Sequence, residues 1–156
     1  MVQELWAKIS QAEKFIVYGA AAVLVGWIVG QFIATVNLCG GLNIAGISCP
    51  TFSYFSAGNS GTFAILGLVL DIATVAVIYL KVAPNMNITW PMPFAQILLG
   101  VAGATLVCGV LVVLMQLSYG LGGAPITMWI ADLFFVGGGA VMAWFAYQEY
   151  VAAKVA

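Results

Sequence analysis

The sequence predicts an all-α fold, a polytopic membrane four-helix bundle with a short interfacial helix at the N-terminus. Of the 156 residues, 64% are hydrophobic and only 6% are charged, whereas a soluble domain carries about 25% charged residues. The mean hydropathy is +1.13. The chain also contains four apolar runs near the roughly 20 residues that a helix needs to cross the hydrocarbon core. We therefore expect a single membrane domain, residues 1–156.

The N-terminal segment, residues 1–14, mixes charged residues with apolar residues at helical spacing. This pattern predicts a short helix lying in the membrane interface, with Trp6 at the level of the headgroups. Ser10 and Glu13 have the spacing of a capping box, which predicts that a new helix begins directly after Ser10.

The first span is predicted over residues 15–36. Small residues recur in it at every fourth position, namely Ala22, Gly26, Gly30 and Ala34. Such a stripe lets another helix backbone approach closely. The approaching helix belongs either to this chain or to a neighbouring chain, and the sequence leaves both alternatives open.

The longest loop, residues 37–61, contains no charged residue. We expect it to fold onto the helix ends with its aromatic residues at the interface. Cys39 and Cys49 lie in it, in a glycine-rich stretch where two thiols can meet. If this loop faces an oxidising compartment, they form a disulfide; the alternative is two free thiols.

The remaining spans are predicted over residues 62–80, 94–117 and 126–147. The second has Asp71 at its middle, and the third carries the small residues Gly100 and Ala104. In the fourth span Asp132 precedes three consecutive glycines, Gly137, Gly138 and Gly139. Glycines within a membrane helix indicate close packing or a bend.

The lysines predict the orientation of the chain. Lys8 and Lys14 precede the first span, Lys81 follows the second, and Lys154 follows the fourth. Because cytoplasmic loops are rich in basic residues, both termini are predicted to be cytoplasmic. We therefore expect a multi-pass protein of the cell inner membrane, with residues 37–61 on the outer side.

The two intramembrane acids are the candidate chemical groups. Counted from the outer ends of their spans, Asp71 and Asp132 lie at comparable depths, where they could face one another and share a proton. One hypothesis is that they line a proton or cation path. The other is that each is neutral and hydrogen-bonds to a facing helix, fixing the packing.

Several classes of function are disfavoured by what the chain lacks. It has no histidine, which excludes haem or chlorophyll held by its own imidazoles. No metal-ligating cluster, nucleophile elbow or phosphate loop is present, so we expect neither an enzyme nor a metal cofactor. The net charge of −1 argues against nucleic acid as a partner.

The order of short motifs resembles a group of small four-span bacterial membrane proteins of unknown function. These motifs are Ser10-x-x-Glu13-Lys14 before the first span, Ser56-Ala57 in the outer loop, Asp71 in the second span, Trp90-Pro-Met-Pro93 before the third, and Gln148-Glu149 after the fourth. The resemblance implies a four-span topology and a bacterial setting, and it implies no activity.

These observations favour a structural or accessory membrane protein whose partners are lipids and other transmembrane helices, from copies of itself or from a larger complex. The alternative is a small proton or cation channel or transporter that uses Asp71 and Asp132. A third possibility is a subunit that binds a lipid, quinone or carotenoid between its spans.

Overall fold

The computed structural model describes residues 2–37, 51–53, 60–83, 91–118 and 126–155. Its elements in chain order are α1 (Val2–Lys8), α2 (Gln11–Ile28), a π-helical segment (Val29–Ile33), β1 (Thr35–Asn37), β2 (Thr51–Ser53), α3 (Ser60–Val82), α4 (Phe94–Ser118) and α5 (Ile126–Val155). Four of the described helices, with α2 continued by the π-helical segment, are long and apolar enough to cross a membrane. The predicted four-helix membrane bundle with a short N-terminal helix is thus confirmed.

Helix α2 begins at the predicted capping box. The Ser10 hydroxyl accepts a hydrogen bond from the Glu13 N–H at 3.1 Å, and the Glu13 carboxylate accepts one from the Ser10 N–H at 2.7 Å. Two backbone donors that a helix leaves unpaired at its start are thereby satisfied. Before it, α1 packs back on α2 through an edge-to-face contact of Trp6 with Tyr18, at 5.8 Å between ring centroids.

The far end of α2 differs from the predicted span. The α-helix gives way to the π-helical segment Val29–Ile33, and Ala34 is already extended, with φ −79° and ψ 104°. The helical part of the first span therefore runs from Gln11 to Ile33 rather than over residues 15–36. Residues 35–37 form β1, which pairs antiparallel with β2. Cys39 and Cys49 lie outside the described residues, so their disulfide stays a prediction.

The four long helices form a ring in which each packs against two neighbours: α2 against α5 and α3, and α4 against α3 and α5. Neighbours run in opposite directions, so α3 and α5 are parallel and diagonal to each other. The contact between α2 and α5 is the most extensive, and the contact between α2 and α3 is the least extensive.

The middle of the ring is filled by Phe135 of α5, which is 1% exposed. Its ring lies against two glycines, and a Cβ on Gly67 or on Gly109 would come within 2.8 Å or 3.0 Å of ring carbons. These missing side chains on α3 and α4 make room for a phenyl ring at the bundle axis.

Helix α5 has 30 residues and runs to Val155 rather than ending near residue 147. At 1.5 Å per residue it is about 45 Å long, which exceeds the roughly 30 Å hydrocarbon core. Residues 151–155 are exposed. We therefore place the last turns of α5 beyond the membrane core.

Candidate functional site

Buried polar side chains lie at three levels of the described bundle. All four lysines lie toward the end where α2 begins and α3 and α5 finish, and we call this end the lysine end. Glu13 is buried there. The middle of the bundle holds the buried Asp71, Thr74 and Thr105, and the opposite end holds Ser60, Gln116 and Asp132. Each level has a different chemistry.

At the lysine end, four side chains form a polar clasp: Ser10, Glu13, Lys81 and Glu149. The Lys81 ammonium donates to Glu13 Oε1 at 2.6 Å. The Ser10 hydroxyl, which caps α2, donates to Glu149 Oε1 at 2.6 Å. The Lys81 Nζ also lies over the ring of Phe94, 4.5 Å from its centroid. The clasp and this ring contact therefore connect α2, α3, α4 and α5.

Glu13 depends on this clasp because its side chain is only 1% exposed, whereas that of Lys81 is 41% exposed. A buried carboxylate without a partner is costly, so the ion pair and the capping hydrogen bond make its burial possible. Glu13 and Lys81 are 68 positions apart. No local spacing connects them, so reasoning from the sequence alone missed this contact.

At the middle of the bundle, the hydroxyls of Thr74 and Thr105 each donate a hydrogen bond to a backbone carbonyl of their own helix. Thr74 Oγ1 donates to the Leu70 carbonyl at 2.9 Å, and Thr105 Oγ1 donates to the Val101 carbonyl at 3.1 Å. Asp71 is different. It is 3% exposed, and its buried Oδ1 has no hydrogen-bond partner within the described part of the chain.

Asp71 lines a groove between α2 and α3, which we call the α2–α3 groove. Its volume is about 520 Å³, and its lining residues are Val17, Ala20, Ala21, Leu24, Asp71, Ile72, Val75, Ala76 and Tyr79. Apart from the carboxyl of Asp71 and the phenol of Tyr79, these side chains are apolar. The groove thus combines an apolar wall with one carboxyl that lacks a described partner.

Asp132, which is 7% exposed, is in a different situation. It has an interaction partner in the structure, as have Ser60 and Gln116 at the same end of the bundle. It does not line the α2–α3 groove. The buried Oδ1 atoms of both acids make no hydrogen bond among the described residues, so Asp71 differs from Asp132 in lining the groove and in having no other described interaction.

No hydrogen bond joins Asp71 to Asp132 among the described residues, because Asp71 makes none there. The two acids also do not share the α2–α3 groove, which Asp71 alone of the two lines. That they lie at comparable depths and share a proton stays a prediction.

The glycines on the interface of α2 and α5 are required by close backbone approach. A Cβ on Gly26 would lie 2.6 Å from the Phe135 nitrogen and 2.7 Å from the Ala131 carbonyl oxygen. A Cβ on Gly138 would lie 2.5 Å from the Gly19 carbonyl oxygen. The approach of another helix to Gly26 is therefore made within this chain. Gly30 and Ala34 are also buried, and Ala22 is half-buried.

Two of the other predicted packing glycines, Gly100 and Gly137, face away from the neighbouring helices of the bundle. A Cβ on Gly100 or on Gly137 would meet nothing within 4 Å, whereas one on Gly139 would contact α4 at Leu106 Cα, 3.1 Å away. Ala104 is half-buried. Gly137 lies in a second, smaller groove, the outer groove, of about 290 Å³, which is lined by Tyr18, Gly19, Ala22, Leu133, Phe134, Gly137, Gly138 and Val141.

Searches for related proteins add no family to this description. Comparison of the chain with protein-family models, with curated proteins and with solved structures finds no match. Among the described residues, no group of three or more cysteine or acidic side chains is arranged to hold a metal ion. Any functional proposal must therefore start from the two grooves and from Asp71.

Proposed function

We propose that this chain is a structural or accessory membrane protein that packs laterally, through the outer groove, against a second copy of itself. The observation that carries the proposal is the open space in front of Gly137. A glycine in a helix is less favourable than alanine by about 0.5–1 kcal/mol. Gly26 and Gly138 need to be glycine for packing inside the bundle, but Gly137 has no such need.

The outer groove suits contact with another helix because small side chains line its floor and large side chains line its rim. Ala22 and Gly137 form part of the floor, while Tyr18 and Phe134 supply aromatic surface beside it. Small residues permit the close backbone approach on which helix association in lipid depends, because dispersion contacts replace the hydrophobic driving force there.

The occupant that we propose is a second copy of the chain. When two copies are related by a two-fold axis along the membrane normal, equivalent residues lie at the same depth in the bilayer. Such an axis places Gly137 opposite Gly137 at the same level of the bilayer, with self-complementary surfaces. None of the residues lining the groove is charged, so two copies meet without repulsion. A helix from a larger complex is the alternative occupant, and it would need a surface complementary to the small residues of the groove floor.

The test of this proposal is cross-linking through Gly137. We expect Gly137→Cys to form a disulfide-linked dimer in native membranes under mild oxidation, with the other three cysteines replaced by alanine. Gly137→Leu fills the groove and shifts the protein to the monomeric mass of 16.4 kDa in mild detergent. Gly100→Leu, an outward glycine on α4, is the matched control and keeps the dimer. A wild-type protein that is monomeric in its own membrane would overturn the proposal.

A second candidate function is a small proton or cation transporter, which the unpartnered Oδ1 of Asp71 favours. Ion pathways place acids inside the membrane, where they are costly and therefore usually functional. On this proposal Asp71→Asn abolishes proton or cation flux in proteoliposomes. Asp132 is part of the path only if Asp132→Asn also abolishes the flux. Unchanged flux in both variants would overturn the transport proposal.

The setting that we propose is a bacterial inner membrane with both termini in the cytoplasm. Its support is that Lys14 of α2 and Lys81 of α3 lie at the same end of the bundle as Lys154 of α5. The partners are membrane lipids and other transmembrane helices, with no enzymatic activity. A protease added outside intact cells would then leave the C-terminal residues of α5 uncut.

A further inference from the structure

The α2–α3 groove presents Asp71 where no other polar group reaches it from the described chain. The groove runs along α3 from Asp71 to Tyr79, eight residues or about 12 Å. Beyond Tyr79, Lys81 of α3 is paired with Glu13 of α2. The two helices are thus fastened at the lysine end and leave an apolar space between them toward the middle of the membrane.

We propose that the α2–α3 groove binds a membrane-soluble alcohol, with its hydroxyl hydrogen-bonded to Asp71 and its apolar body lying along the groove toward Tyr79. This site lies on the opposite side of α2 from the outer groove, and it does not depend on self-association. Its volume of about 520 Å³ lies within the roughly 300–1,000 Å³ of small-molecule sites.

The ligand needs a polar group because an unsatisfied buried carboxyl is costly in a site without water. A hydroxyl fits either form of the side chain. It donates to the carboxylate, and it accepts from the protonated acid while donating to the carbonyl oxygen. An ammonium would suit only the ionised form, and a ketone only the protonated form.

The ligand needs an otherwise apolar body because of the depth of Asp71. Asp71 is the twelfth of the 23 residues of α3, which places it about 16 Å from either helix end. A phospholipid headgroup stays in the interface, roughly half the 30 Å core thickness away. The polar group that meets Asp71 must therefore sit on a molecule that dissolves in the hydrocarbon.

The other wall residues agree with this orientation. Between Asp71 and Tyr79 the groove is lined by aliphatic side chains from both helices, among them Leu24, Val75 and Val17. Tyr79 is 52% exposed and lies near the lysine end, where an aromatic side chain with a polar tip is favourable. The single polar contact inside the groove is thus at its deep end.

The experiment measures equilibrium binding of radiolabelled farnesol, an isoprenoid alcohol, to the protein in lipid nanodiscs. The labelled hydrocarbon farnesene, which has the same skeleton and no oxygen, is the matched ligand control. We expect saturable farnesol binding to the wild type and about tenfold weaker binding to Asp71→Leu, because one hydrogen bond is lost. Farnesene should bind both proteins with equal affinity.

Two further variants locate the site. Ala76→Phe places a ring in the groove from an exposed position and should abolish binding of both ligands. Asp132→Asn changes the acid outside the groove and should leave farnesol binding unchanged. Equal farnesol affinity for wild type and Asp71→Leu would overturn the proposal. Asp71-dependent binding of dodecylamine without binding of farnesol would also overturn it, in favour of a cationic ligand.

Discussion

The two sides of α2 are built in opposite ways. Toward α5, glycines let the backbones approach until a single added Cβ on Gly26 would lie 2.6 Å from a main-chain nitrogen. Toward α3, the same helix lines a groove of about 520 Å³ with the alanines Ala20 and Ala21. Gly26 therefore lets α2 and α5 meet closely, whereas Ala20 and Ala21 leave space between α2 and α3.

This difference separates the contact that holds α2 in the bundle from the space between α2 and α3 that is open to a ligand. On the α5 side, Val23 is fully buried and lies beside Gly138. On the α3 side, the helices meet at the Glu13–Lys81 ion pair, and the space above it contains a carboxyl without a described partner. Substitutions on the α5 side should therefore mainly lower the free energy of unfolding, and substitutions on the α3 side should mainly weaken ligand binding.

The largest loss of stability is expected from Phe135→Ala, on the tight side. The ring fills the bundle axis against Gly67 and Gly109, so its removal leaves a cavity that glycines cannot fill. We expect the free energy of unfolding, measured by titration with SDS from mild detergent, to fall by about 4 kcal/mol. Phe134→Ala is the matched control, because that neighbouring ring is 42% exposed; its loss should stay below about 1 kcal/mol. Equal losses would contradict the central role of Phe135.

The most direct contrast between the two sides of α2 is one substitution made on each. Gly26→Leu forces a side chain into the backbone of α5 and should cost about 3 kcal/mol of unfolding free energy. Ala21→Leu adds a comparable side chain at an exposed position on the groove side. The same SDS titration should show a change of less than about 0.5 kcal/mol. A larger loss for Ala21→Leu than for Gly26→Leu would reverse the assignment of the two sides.

The clasp at the lysine end should give an intermediate effect. Lys81→Met leaves the Glu13 carboxylate buried without its cation, and we expect a loss of about 2 kcal/mol, since an uncompensated buried charge is destabilising. The double variant Glu13→Met/Lys81→Met removes both charges and should recover part of that loss. A double variant that is less stable than Lys81→Met would contradict this explanation.

Sequence periodicity was sufficient for the architecture. Apolar runs predicted the four spans, and the Ser10/Glu13 spacing predicted the capping box, because both signals are local along the chain. The π-helical end of α2 and the extension of α5 to Val155 were not predicted. No residue type in the sequence predicts the π-helical end of α2. The last turns of α5 were not assigned to the span because their composition is polar.

The candidate site depended on contacts that a single sequence does not encode. Glu13 meets Lys81 only because α2 and α3 run in opposite directions with a particular register. The groove beside Asp71 likewise exists only because of how α2 and α3 pack. The sequence identified both acids as unusual, but only the fold distinguishes the partnered acid from the one that faces a groove.

No loss of stability is expected from the removal of the Asp71 carboxyl. This expectation tests the central claim that the α3 side of α2 is open to a ligand and does not hold the bundle together. Asp132→Leu, which removes an acid that has a partner, serves as the control and should lose about 1 kcal/mol.

The decisive measurement is the unfolding free energy of Asp71→Leu in mild detergent without added ligand. Because Asp71 Oδ1 has no hydrogen-bond partner among the described residues, replacing the acid with leucine removes an unsatisfied group. We predict that this variant is as stable as the wild type or more stable, by up to about 1 kcal/mol. A loss of 1 kcal/mol or more would show that Asp71 supports the packing and would contradict the account.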